Sequence, residues 1–132
     1  MSEWTKEEAT EFELILYHLP PSELNPNVLR KLHWTRRREV TQSAREEAGW
    51  MAKQAWKDRE PFEKVTVSYQ FTVRDGRKHD VDNLVSACKP YVDGLIDANV
   101  MMSDDYRYMK IGGAEIVKGE GYQTRILVRI LE

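Results

Sequence analysis

The sequence predicts an α+β domain, with two helices packed on a small mixed sheet in the order β-α-β-α-β-β. Three observations predict it. Val65–Val73 (VTVSYQFTV) alternates apolar and polar side chains without a break, as a half-buried strand does. Two stretches, residues 35–56 and 82–99, instead place apolar residues three and four apart, which gives a helix one apolar stripe. The 132 residues and 41% apolar content suit one core.

The elements follow in order. Residues 11–17 (EFELILY) read as the first strand, partly alternating at Phe12, Leu14 and Leu16. Pro20-Pro21 ends regular structure. Residues 18–33 show no period, which is long for a loop in a compact domain and marks it as mobile or functional. The first helix carries Val40, Ala44, Ala48, Met51, Ala52 and Ala55 on one stripe, with Gly49 inside the pattern and Pro61 closing the region. Val65–Val73 turns Val65, Val67, Tyr69, Phe71 and Val73 to one face, and Asp75-Gly76 then marks a turn. The second helix spans 82–99, with Leu84, Ala87, Cys88, Tyr91, Val92, Leu95 and Ile96 on its apolar face. Asp82 is its expected N-cap, and Pro90 is expected to kink the turn before it. A strand at 106–111 should break at Gly112-Gly113 and resume through 114–117. Gly119-Glu120-Gly121 reads as a hairpin turn. Residues 122–131 form the last strand, with Tyr122, Thr124, Ile126, Val128 and Ile130 on one face. The chain reads as a single domain over 1–132, residues 1–10 being an acidic N-terminal extension.

Composition excludes several classes. No apolar run is long enough to span a bilayer, and the acidic N-terminus lacks the apolar stretch of a secretory signal. One cysteine cannot close an internal disulfide, which fits a reducing, cytoplasmic setting. The net charge of −2 hides an uneven distribution: residues 1–13 carry −4, which leaves +2 for residues 14–132. Within the latter, residues 28–38 (VLRKLHWTRRR) hold Arg30, Lys31, Arg36, Arg37 and Arg38 and no acidic residue. Residues 74–79 (RDGRKH), with Arg77 and Lys78, form a second basic cluster. Local fields, not net charge, steer a ligand.

Carboxylates gather in one region: Asp80, Asp82, Asp93, Asp97, Asp104 and Asp105. Two aspartates spaced i, i+2 in extended chain point the same way. Their charges repel unless a cation intervenes, and Mg²⁺ takes carboxylate oxygens. A third carboxylate from another element would complete a common arrangement for phosphodiester cleavage. Such a pair serves equally as helix caps or solvated loop residues. An EF-hand fails, because Leu84 stands where a third oxygen ligand belongs and no glycine follows. A nucleotide-sugar site would need more chain. His18, His33 and His79 have no evident nucleophile elbow, and Cys88 sits on the apolar helix face.

The stretch HDVDNLVSACKPYVDGLIDANVMMSDDYRY resembles the core signature of the RusA family of Holliday junction resolvases, including phage-borne relatives. The matching positions are Asp80, Asp82, Asn83, Leu84, Lys89, Asp93, Leu95, Asp104 and Asp105. Pro20-Pro21-Ser22 with Asn25, followed by a basic helix, resembles that family's N-terminal half. The resemblance implies a small homodimeric, Mg²⁺-dependent endonuclease (Mn²⁺ being an alternative metal) that binds four-way or otherwise branched DNA and makes paired nicks. It implies Asp80, Asp82 and Asp105 as metal-binding carboxylates, with Asp104 the rival for the third, and Lys89 as the catalytic lysine. The basic residues Arg30, Lys31, Arg36, Arg37, Arg38, Arg77 and Lys78 are the expected phosphate contacts. One departure concerns Lys89. In the short form of the signature the lysine stands where this chain has Ser86. On an unbroken helix the two positions share a face, about 4.5 Å apart along the axis, so Lys89 can still reach the site. An ordinary i, i+4 pair with Asp93 is the alternative. A non-catalytic nucleic-acid-binding module and a flap or single-strand nuclease are the rival functions.

Overall fold

The computed structural model describes residues 10–131; most of the acidic extension, residues 1–9, lies outside them. Strands β1 (Glu11–Leu16), β2 (Val65–Val73), β3 (Met109–Lys118) and β4 (Gln123–Ile130) form one sheet in the order β1-β4-β2-β3. β4 runs antiparallel to both its neighbours, whereas β2 and β3 are parallel, so the sheet is mixed. The helices are α1 (Pro26–Leu29), α2 (Trp34–Trp56), α3 (Val81–Ala87) and α4 (Lys89–Asp97). The α+β class with a small mixed sheet is the architecture observed.

The alternation in β2 does what its chemistry requires. Val65, Val67 and Phe71 are fully buried against Ala48, Ala52 and Leu95 of the helical layer, in one core. The α2 stripe holds small alanines, so α4 packs close to it. At the crossing a Cβ on Gly94 would collide with the Arg45 carbonyl and come within 2.8 Å of the Gly49 nitrogen. Gly94→Ala should therefore overpack the crossing and cost about 1–3 kcal/mol. Gly49→Ala, whose Cβ would stand 3.4 Å from the Gly94 oxygen, should be neutral or stabilising, since alanine is the better helix former. Urea unfolding of both variants checks the pair.

Five details differ from expectation. The aperiodic stretch 18–33 contains a 3-10 turn, Ser22–Leu24, and α1, because Leu24 plugs the core at 2% exposure and Asn25 caps α1 by accepting from the Asn27 nitrogen at 2.9 Å. The helix expected over 82–99 is two helices that meet at Cys88. Proline fits best in a helix's first turn, where its missing N–H costs nothing, so Pro90 opens α4 rather than kinking a longer helix. Asn99, in the left-handed region at φ 63°, ends that helix region. The N-cap of α3 is Asp80, not Asp82: Asp80 Oδ1 accepts from the Asp82 and Asn83 nitrogens at 3.0 and 3.4 Å.

Finally, β3 and β4 form no hairpin. They flank β2 on opposite sides, and residues 119–122 cross its end, with the Gly119 nitrogen donating to the Val73 carbonyl at 2.8 Å. The apolar face of β4, Thr124, Ile126 and Val128, is fully buried and belongs in the sheet's middle. β3 is mostly exposed and takes the edge. Its Gly112-Gly113 pair is a bulge within one strand: Ser68 and Thr66 lie 2.6 Å from where a Gly112 Cβ would be.

Candidate functional site

The site is built where the loop after β1 meets the start of α3. His18 pins the loop's beginning to α2: its Nε2 reaches Glu47 Oε2 and its Nδ1 reaches the Leu19 carbonyl, both at 2.8 Å. Burial pulls the His18 pKa down, but those two hydrogen bonds outweigh it and hold it above the ordinary value. Arg36 fastens the loop further on, donating from Nε and Nη2 to the two Glu23 oxygens at 2.7 and 2.6 Å. The loop so held walls a groove of about 370 Å³, opposite the chain leading into α3. Pro20, Pro21, Ser22 and Asn25 form one wall; Lys78, His79, Asp80 and Asn83 form the other.

A network not foreseen from the sequence holds the second wall. His79 Nε2 and the Tyr122 hydroxyl donate to the two Asp75 oxygens, each at 2.8 Å, and the Arg77 nitrogen adds a third bond at 3.0 Å. The His79 and Tyr122 bonds lower the Asp75 pKa to about 2, so it stays ionised. The Asp75/His79 spacing of four residues was the visible signal; Tyr122 was not, because it comes from the crossover.

The predicted site residues separate into two groups. Asp80 lines the groove. Its Oδ2, and both oxygens of the neighbouring Asp82, make no hydrogen bond among the described residues. Lys89 stands at the start of α4 and bridges two carboxylates, with Nζ 2.7 Å from Asp93 Oδ1 and 2.7 Å from Asp104 Oδ2. Burial lowers its pKa, but the bonds to Asp104 and Asp93 prevail and raise it above the ordinary lysine value. Asp105 turns to Arg107, whose Nε and backbone N–H both reach Oδ1, and those bonds hold its pKa down. Asp82, Lys89, Asp104 and Asp105 are not among the groove's lining residues.

Among the described residues, no three His, Cys, Asp or Glu side chains gather closely enough to hold a metal ion. Were Mg²⁺ bound here, Asp80 and Asp82 would be the carboxylates to hold it. Mg²⁺ is commonly held by one or two carboxylates, with water and substrate phosphates completing its shell, and free carboxylate oxygens are the right donors.

The basic residues also divide. Arg36 is committed to Glu23 and Glu39, and Arg37 Nη2 donates to the Arg30 and Leu32 carbonyls at 3.2 and 3.3 Å. Arg30, Lys31, Arg38, Arg77 and Lys78 make no ion pair among the described residues. No helix is long and apolar enough to cross a membrane among the described residues.

No family model matches the chain, and no curated protein matches it. The fold and the site define an α+β domain with a groove lined by Lys78, His79 and Asp80 among neutral residues.

Proposed function

We propose that this chain is a Mg²⁺-dependent endodeoxyribonuclease that resolves four-way and other branched DNA, acting as a homodimer. The observation that carries the reading is the meeting of Pro20-Pro21-Ser22 and Asn25 with Asp80 and Asn83 across one groove. These are the two separated parts of the sequence on which the likeness to resolvases rests. Lys78 on the same wall, with Arg30, Lys31 and Arg38 in no ion pair among the described residues, supplies cations for phosphates. Asp80 and Asp82 would hold the ion, which when bound supplies an activated water and charge stabilisation. Hydrolysis adds the water oxygen to phosphorus as the bond to one sugar oxygen breaks; that oxygen takes a proton, and the other water proton is released to solvent. Lys89, cationic beside Asp104, would stabilise charge on the phosphate. Two-fold symmetry would supply the two cuts that a four-way junction needs.

The test is a gel assay on labelled four-way junction, flap and linear duplex, with Mg²⁺ or with EDTA. The reading expects paired nicks in the junction that need Mg²⁺; a preference for flaps would make it a flap nuclease. A second reading, a binding module without catalysis, is favoured by the pairing of Asp104 with Lys89 and Asp105 with Arg107 away from Asp80. Junction binding with no cut under any metal would establish it.

Junction affinity should also fall steeply with salt. Alanine at Arg30, Lys31 and Arg38 together should lower the log–log slope by about 0.9 for each phosphate that is no longer neutralised. Arg36→Ala should act differently, loosening the loop held by Glu23 with little change of slope. Slopes that move the other way round would place phosphate on Arg36.

A further inference from the structure

Trp34 opens α2 and is 62% exposed. At the far end of the same helix Trp56 is 1% exposed and packs edge-on against Phe12 and Phe62. Trp34 has no such place in the core. Its immediate neighbours are instead basic. The Arg38 guanidinium carbon lies 5.7 Å from the indole centroid, and the His33 ring stands 5.8 Å away, tilted by 32°. Arg37, through its bonds to the Arg30 and Leu32 carbonyls, folds the basic run 28–33 back onto this first turn. Arg30, Lys31 and Arg38 make no ion pair among the described residues.

We propose that Trp34 is a stacking platform for an unpaired nucleobase of single-stranded or branch-point DNA, with Arg30, Lys31 and Arg38 on the flanking phosphates. The proposal rests on the reading of this chain as a protein of branched DNA. An exposed aromatic ring among cations holds single strands because every base has a π face to stack. Bases inside a duplex are already stacked and offer none, so the ring would distinguish a branch point from linear DNA. Arg38 suits the arrangement: a guanidinium is attracted to the indole face and keeps N–H donors for a phosphate. A lipid surface suits it less. Interfacial helices present a broad apolar face, whereas Thr35, Arg36, Arg37 and Glu39 around Trp34 are exposed and polar. The helix's other exposed indole, Trp50, stands about 24 Å further along the axis.

The experiment measures binding of labelled oligo-dT, four-way junction and blunt duplex to the full chain in EDTA, by fluorescence anisotropy. Wild type is compared with Trp34→Ala, Trp34→Phe and Trp50→Ala, each checked for folding by circular dichroism. Trp34→Ala should weaken oligo-dT binding by roughly 5- to 150-fold and junction binding in the same direction, with duplex affinity within about twofold. Trp34→Phe should recover most of the loss, and Trp50→Ala should match wild type. Unchanged oligo-dT binding by Trp34→Ala overturns the proposal. So does an equal loss on single strand and duplex that phenylalanine does not restore, which would make the ring a prop for Arg38. Binding to phosphatidylserine vesicles that Trp34→Ala removes, with oligo-dT binding intact, assigns the ring to lipid instead. Wild type that holds oligo-dT through Trp34 yet cuts no branched DNA in Mg²⁺ defeats the nuclease reading alone. Junction cutting with an indifferent Trp34→Ala defeats the platform alone, and a wild type that binds no DNA defeats both.

Discussion

Asp80→Asn and Asp82→Asn should each lower junction cutting by at least about a hundredfold, while junction binding persists or improves. The magnitude follows from the role: removing one preorganised stabilising group from a phosphoryl- or acyl-transfer site costs about 10²–10³ in rate, and a lost metal ligand belongs at that scale or above. Asparagine is the right probe at position 80. It caps helices about as well as aspartate, so the bonds from the Asp82 and Asn83 nitrogens to Oδ1 survive, and what changes is the charge. Asp80→Ala, by contrast, also loses the cap, at about 1 kcal/mol. Binding should improve in both asparagine variants because a negative charge facing phosphate is gone. The measurement is single-turnover cutting of a labelled junction in Mg²⁺, with anisotropy in EDTA alongside. Native-rate cutting by either folded variant would falsify the assignment of the acidic pair.

Lys89→Ala should have the second largest effect, again at least about a hundredfold in cutting rate, with a small effect on folding. The two consequences separate because Lys89 is largely exposed. An exposed ion pair contributes roughly 0–1 kcal/mol, and the i, i+4 pair with Asp93 about 0.2–0.5 kcal/mol. Its link to Asp104, 2.7 Å from Nζ, ties α4 to the chain entering β3, so the fold also uses this lysine. Lys89→Arg should rescue cutting poorly, since a planar fork replaces a point charge. Ser86→Lys in the Lys89→Ala background should not restore it. The two positions would share a face only on an unbroken helix, and α3 ends before Cys88. Recovery by that double variant would show that the break yields when substrate binds. A turnover number unchanged by Lys89→Ala removes the lysine from the mechanism and leaves it a structural bridge.

The legibility of the site in the sequence was uneven, for identifiable reasons. Asp80, Asp82 and Asn83 stand within one short run, so their association at the start of a helix needed only local rules. The identity of the cap did not: residues 80 and 82 are both good caps, and the first turn of α3 settled on the earlier one. The partners of Lys89 were half legible. Asp93 is one turn away on the same helix, whereas Asp104 arrives through a loop whose path no spacing rule describes. The three arginines in the first turns of α2, Arg36, Arg37 and Arg38, looked equivalent in sequence. Glu23, on a 3-10 turn thirteen residues earlier, took Arg36, and the carbonyls ending the basic run took Arg37, so a cluster read as uniform became one anchor, one brace and, in Arg38, one cation with no ion pair among the described residues.

What the sequence determined by itself was whatever depends on period and local chemistry. The alternation of Val65–Val73 made it a half-buried strand and the alanine stripe made α2 a helix with a narrow face, whereas Pro90 read only as a kink and the division into two helices at Cys88 came with the fold. Only the tertiary structure decided which strands became neighbours. β3 and β4 are consecutive and joined by glycines, the local signal of a hairpin, yet β2 lies between them. The physical reason is burial. β4 has an apolar face worth placing at the centre of the sheet, β3 does not, and the free energy of that choice comes from packing against residues distant in the chain. The same long-range packing brought Pro21 and Ser22 to Asp80 and Tyr122 to Asp75, because each pair meets across elements whose order the hydrophobic core, and no local pattern, sets.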